Sequence, residues 1–166
     1  IEIVLAGHGL DLAAPDVVAA LAERGRGLFT SGEVRVSGDV VVFVYKAAAE
    51  IGELGDNTAA LRDAVRNDTL LHAAMAADGV EGLILGHTRW ASIGIISEPN
   101  AHPQSSEELE RPGAAMVTAV LNGDVDNFAD LIAEEDLRIP NAITTDAKVI
   151  PTVMARRLDE GLATAE

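Results

Sequence analysis

Cysteine is absent from all 166 residues, which excludes disulfides, thiolate metal sites and a thiol nucleophile among them. The absence fits a reducing, cytoplasmic compartment. Aromatic residues make up only 3% of the chain, with a single tryptophan, so the core drawn from a hydrophobic fraction of 48% is expected to be aliphatic. Basic residues are also scarce: 12 Lys and Arg against 27 Asp and Glu give a formal charge of -15. That surface opposes nucleic acid phosphates and anionic membranes as partners. No apolar run approaches a membrane span, and none of these residues reads as a basic-then-apolar leader.

The length suits one domain with a core large enough to fold without staples. Residues 1–166 are expected to form that single domain. Because the chain starts in mid-strand at Ile1, it is expected to be a fragment lacking an N-terminal strand. Ile1 to Leu5 reads as a short buried strand closed by Gly7-His8-Gly9, a turn rather than a phosphate loop, since no GxGxxG or Walker spacing follows. Pro15-Asp16-Val17 opens a helix to about Glu23. Glu33 to Lys46 alternates as a hairpin around Ser37-Gly38-Asp39. A helix from Asn57 or Asp56 to about Ala77 is expected to be interrupted near Asn67-Asp68. Gly82-Leu83-Ile84-Leu85-Gly86 is a third β segment.

Residues 93–113, rich in Pro, Ser, Glu and Asn, read as a long surface loop. Met116 to Leu121 reads as a buried strand ending at Asn122-Gly123, followed by a helix from about Val125 to Glu134. Thr144 or Thr145 is the expected N-cap of a last helix that turns Val149, Ile150, Val153, Met154 and Leu158 inward.

Individually the polar signals are modest. Arginine beside tryptophan is usually a surface stack, Asn-Gly after a strand is usually a turn, and His102 before Pro103 suits a loop anchor better than a metal ligand. The combination is specific. Gly86-His87-Thr88-Arg89-Trp90-Ala91, Asn100-Ala101-His102-Pro103, Asn122-Gly123 with Asn127, and Thr145-Asp146 stand in fixed order. In order and approximate spacing this set resembles the class II glutamine amidotransferases, which are N-terminal-nucleophile hydrolases. It looks most like the glutaminase domain of the glucosamine-6-phosphate synthases, where Gly52-Glu53-Leu54 also has a counterpart. The resemblance spans roughly residues 43 to 158. Other class II amidotransferases, such as those making asparagine or phosphoribosylamine, fit Trp90-Ala91 and Asn-Ala-His-Pro less well.

The resemblance implies an α+β fold, a four-layer α/β/β/α sandwich of mainly antiparallel sheets. It implies hydrolysis of glutamine to glutamate and ammonia, with the ammonia passed to fructose 6-phosphate by a sugar-phosphate isomerase domain of the same polypeptide. No metal or organic cofactor is implied, and a homodimer is compatible with it. Arg89 matches the residue that grips the α-carboxylate, a task suited to a permanently charged, bidentate guanidinium. Asp146 matches the partner of the α-ammonium. The Asn122 amide and the Gly123 N–H match an oxyanion hole. Trp90 and Ser92 match positions beside the substrate.

The departures are equally definite. The family's nucleophile is an N-terminal cysteine, and no cysteine is present; Ile1 offers no nucleophile. Arg24-Gly25 only weakly matches an early Arg-Gly-Asp segment. Ile93 and Leu121 stand where the synthases usually carry histidine. The expectation is a fragment whose cysteine-bearing strand lies outside these residues, so that this chain alone does not hydrolyse glutamine. The alternatives are a degenerate glutamine-binding or regulatory domain that keeps Arg89 and Asp146 without a nucleophile, and a structural assembly module that binds no glutamine.

Overall fold

A computed structural model of the chain describes residues 1–25, 29–48, 56–89 and 93–162. It divides into two compact units, Ile1–Gly86 and His87–Glu166. Both mix helix with antiparallel strand, so the architecture is α+β, as expected.

In the first unit, strands β1 (Glu2–Ala6), β2 (Val34–Ser37), β3 (Val40–Val44) and β4 (Glu81–Leu85) form one antiparallel sheet in the order β2-β3-β1-β4. The hairpin between β2 and β3 turns at Gly38-Asp39, and Gly38 takes the positive φ of +57° that such a short turn needs at its first position. β3 lies inside the sheet, and Val41 to Val44 are all at most 2% exposed. Its unbroken run of Val and Phe reflects burial on both faces. β4 is an edge strand instead, with Leu83 and Ile84 each 67% exposed. The core gathers Ile3, Leu5, Val34, Val41, Phe43, Tyr45, Leu71 and Ala74.

Helix α1 (Pro15–Arg24) starts on proline, whose missing N–H costs nothing in a first turn. The interruption expected near Asn67-Asp68 separates α2 (Asp56–Asn67) from α3 (Thr69–Ala74). Asp68 causes it by capping α3: its Oδ1 accepts the N–H of Leu70 at 3.1 Å and of Leu71 at 3.0 Å. The same carboxylate receives a two-pronged grip from Arg24, at 3.0 and 2.7 Å, and the Tyr45 hydroxyl at 2.7 Å. Arg24 also donates from Nε to the Gly32 carbonyl at 2.6 Å and lies over the Phe43 ring, 5.5 Å from its centroid. Burial disfavours the Asp68 carboxylate, but the bonds from Arg24, Tyr45 and the Leu71 N–H outweigh it and hold the group below the usual carboxylate range. Burial and that neighbouring carboxylate push the Tyr45 phenol up, so it stays a donor.

The second unit has little regular sheet. β5 (Gln104–Ser105) and β6 (Thr118–Ala119) pair antiparallel over two residues each. Helix α4 runs Phe128–Glu134 and α5 runs Val149–Asp159, the latter entered through a 3-10 turn at Asp146–Lys148. Three expectations are corrected here. Residues 93–113 are a surface loop only toward their ends, where 94–96, 109–110 and 112–113 are exposed; Asn100 and His102 to Ser106 are buried. Side chains there pair the buried backbone: Gln104 Nε2 donates to the Pro99 and Ala101 carbonyls at 3.0 and 2.8 Å, and the Ser106 hydroxyl bonds Ala115 O and Val117 N. The strand expected over 116–121 shortens to Thr118–Ala119, with Met116 41% exposed.

The inward face of α5 is also shifted: Val149, Pro151, Thr152 and Ala155 are buried, whereas Met154 is 42% exposed. Polarity misleads at this helix for two reasons. Thr152 returns its hydroxyl to the Lys148 carbonyl at 2.7 Å and so enters the interior without loss. Lys148, 0% exposed, donates its ammonium to the carbonyls of Ser105 and Glu107. No helix among the described residues is long and apolar enough to cross a membrane.

Removing the Asp68 carboxylate takes away a helix cap and leaves a half-buried guanidinium without its counter-charge. Asp68→Ala is expected to lower unfolding stability by roughly 2–4 kcal/mol in urea. Because the Asp68 pKa is depressed on folding, its contribution is present at neutral pH and fades as pH falls through and below the usual carboxylate range. Acid unfolding of Asp68→Asn is therefore expected to be less steep than that of the wild type.

Candidate substrate-binding site

A cavity of about 230 Å³ opens in the second unit. Arg89, Asn122, Gly123 and Asp146 all line it, and they come from three separate stretches of the chain. Four of the six residues singled out from sequence are thus brought together. Trp90 and Ser92 lie outside the described residues, as does the Gly52-Glu53-Leu54 segment.

The Arg89 guanidinium is held by carbonyls: Nη1 donates to Asn100 O at 3.3 Å and Nη2 to Ile93 O. Other arginines of this acidic chain bond directly to carboxylates, among them Arg24 to Asp68, Arg156 to Glu108 and Arg157 to Glu135. Among the described residues, Arg89 has no such ion pair. Its hydrogen bonds orient the planar fork without cancelling its charge. Burial pulls its pKa below the ordinary arginine value, with the Asp146 charge acting in the opposite sense; it remains a cation at any working pH.

Asp146, 3% exposed, opens the 3-10 turn ahead of α5. Its Oδ2 accepts the Val125 N–H at 2.6 Å, and its Oδ1 accepts the Thr145 hydroxyl at 3.4 Å. Thr145 stands at the N-cap position but makes no side-chain capping bond. Asn122 and Gly123 follow β6, and Gly123 has a φ of +155°, a conformation that disfavours any side chain. The cavity is therefore lined by an arginine, an aspartate, an asparagine and a glycine, with Asp124 also on its wall.

His87 and His102 line the same cavity with ring centroids 4.5 Å apart and planes tilted by 38°. Among the described residues, no three His, Cys, Asp or Glu side chains cluster so as to hold a metal ion.

Two residues near the site carried no role in the sequence. Asn100, noted only as part of a motif, accepts the N–H groups of Thr144 and Thr145 on its side-chain carbonyl, at 2.7 and 2.9 Å. Gly94, at a φ of +91°, presses on the same segment: a Cβ there would lie 3.0 Å from the Thr144 carbonyl carbon and the Thr145 nitrogen. The available signal for Gly94 was a lone glycine between two isoleucines. For Asn100 it was a short amide side chain just before a buried turn. Neither pattern specifies its partner, which lies 44 residues or more downstream for Asn100.

No protein-family profile matches the chain, and no solved structure gives a significant match. Curated proteins do match. The glutamine–fructose-6-phosphate aminotransferase (isomerizing) of Mycolicibacterium smegmatis is 33% identical over 138 residues, covering 82% of this chain and 19% of its own length. The protein of the same name from Mesorhizobium japonicum is 41% identical over 91 residues, 54% of this chain and 13% of its own. That from Staphylococcus aureus is 30% identical over 111 residues, 67% of this chain and 18% of its own. The chain thus spans less than a fifth of the length of these relatives.

Gly94→Ala is expected to destabilise the chain by more than about 1 kcal/mol, since it combines a disfavoured φ with contact against fixed backbone. Thermal unfolding measures this. Gly113, also at positive φ but with open space around it, is the control and is expected to tolerate alanine better.

Proposed function

Since the chain is related to the glutamine–fructose-6-phosphate aminotransferases, we propose that it forms the glutamine-binding part of a glutaminase domain of that kind. One observation carries the reading: a single cavity gathers Arg89, Asn122, Gly123 and Asp146. Glutamine is a zwitterion with an amide at its far end, and each of its three polar groups meets a complementary partner there. Arg89 takes the α-carboxylate and Asp146 the α-ammonium, each through charge-assisted hydrogen bonds. Asn122 and the Gly123 N–H face the amide carbonyl, where negative charge develops when a nucleophile adds to it. Donors placed for that charge accelerate acyl transfer, and loss of one typically costs about 3 kcal/mol of transition-state stabilisation.

In a complete enzyme of this kind, thiolate attack on the amide carbon would expel ammonia, and water would release glutamate. The ammonia would pass to fructose 6-phosphate at a sugar-phosphate isomerase domain. The domain fold that goes with this chemistry is the four-layer α/β/β/α sandwich of N-terminal-nucleophile hydrolases. The charge of -15 on this chain suits glutamine better than a sugar phosphate. With no cysteine among its 166 residues, the chain supplies the binding groups and the oxyanion hole but not the nucleophile.

A second reading follows from that missing thiol: a non-catalytic glutamine sensor using the same Arg89 and Asp146. The two part on ammonia release by the full-length gene product, which the glutaminase reading requires and the sensor reading forbids.

Calorimetry with the 166-residue chain is expected to show saturable binding of one glutamine, and Arg89→Ala is expected to weaken it by about tenfold or more, the loss of a charge-assisted pair. Absence of glutamine binding would contradict both readings. In a coupled assay the same chain is expected to release no ammonia; saturable release would contradict the assignment of the nucleophile to a thiol.

A further inference from the structure

We propose that Asn100 is the positioning residue that sets Arg89 and Asp146 at a fixed separation, an assignment that rests on the glutamine-binding reading above. Asn100 is 0% exposed. Its Oδ1 accepts the N–H groups of Thr144 and Thr145, and its Nδ2 donates to Ser97 Oγ at 2.9 Å and to Ala142 O at 3.3 Å. Two acceptor sites and two donors account for the whole hydrogen-bonding capacity of an asparagine side chain. Its main-chain carbonyl meanwhile accepts from Arg89 Nη1. One buried residue therefore fixes both charges. Its side chain fixes the peptide leading into Asp146, and its backbone fixes the guanidinium.

The segment Ile93–Ile95 reinforces the same link. Ile93 O accepts from Arg89, Gly94 packs on the Thr144–Thr145 backbone, and Ile95 N donates to Thr144 Oγ1 at 3.2 Å. Without the Asn100 amide, the buried Thr145 N–H and the part-buried Thr144 N–H lose their acceptor, and the Thr145 loss is relieved only by movement of the segment. Asp146 would move with it. A ligand that touches Arg89 and Asp146 together depends on their separation, whereas a ligand that touches only one does not.

That difference gives a test that general destabilisation does not mimic. Three ligands are titrated calorimetrically into the wild-type chain, Asn100→Ala and Asn100→Asp: glutamine, glutaramate, which lacks the α-amine, and γ-aminobutyramide, which lacks the α-carboxylate. In Asn100→Ala, glutamine is expected to weaken by about tenfold or more while each one-ended ligand changes by no more than about threefold. Asn100→Asp keeps the acceptor facing the two amides, while its lost donors and added charge act on all three ligands; glutamine is expected to weaken by no more than about threefold beyond the more affected one-ended ligand. The assignment is overturned if folded Asn100→Ala binds glutamine as the wild type does, or loses all three ligands equally. It is also overturned if Asn100→Asp weakens glutamine about tenfold beyond both one-ended ligands, a result that stands even where the alanine variant does not fold. A wild-type chain that binds none of the three overturns the glutamine reading itself; wild-type binding with the wrong variant pattern overturns the Asn100 assignment alone.

Discussion

Buried backbone that lies outside helix and sheet must still have its N–H and C=O groups paired, and the second unit is built on that constraint. Its two strands are two residues long and pair few groups. Backbone bonds between loops pair further groups, and Asn100, Gln104, Ser106 and Lys148, each buried, bond others through their side chains. The cavity is a product of this arrangement. Its walls are turns and extended segments, whose backbone can point amides and carbonyls inward as a regular element could not. Rigidity then comes from side chains such as Asn100, which ties segments 44 residues apart.

The first unit meets the same requirement with a four-stranded sheet, and one half-buried carboxylate in it gathers several partners. Asp68 caps a helix, faces Arg24 and accepts from Tyr45. In a chain with 12 basic residues against 27 acidic ones, the setting of each arginine is informative. Arg24 is matched to a carboxylate with two-pronged geometry, and Arg156 likewise to Glu108. Arg89 is anchored by neutral carbonyls. A neutral anchor leaves the positive charge available to a ligand carboxylate, which suits the function proposed for it.

Much of this was legible in the chain itself, and the limits follow a physical pattern. The hairpin at Gly38, the start of α1 at Pro15 and the break at Asp68 depend on local turn and capping chemistry, so a few residues suffice to predict them. The gathering of Arg89, Asn122, Gly123 and Asp146 was legible as ordered motifs, although no periodicity places them in one cavity. Illegible features were those in which polar side chains are buried by long-range bonds. Composition marked residues 93–113 as surface because Pro, Ser, Glu and Asn read as solvated, yet amides and hydroxyls there are what allow the middle of the segment inside. The face of α5 was misjudged for the same reason, through Thr152 and Lys148.

The central claim is that this cavity receives glutamine with its α-carboxylate on Arg89 and its α-ammonium on Asp146. A crystal structure of the chain grown with saturating glutamine tests it most directly. The account predicts the carboxylate in two-pronged contact with Arg89, the ammonium within hydrogen-bonding distance of Asp146, and the side-chain amide carbonyl directed at Asn122 and the Gly123 N–H. Glutamine bound elsewhere, or bound here with its charged ends reversed, would contradict it.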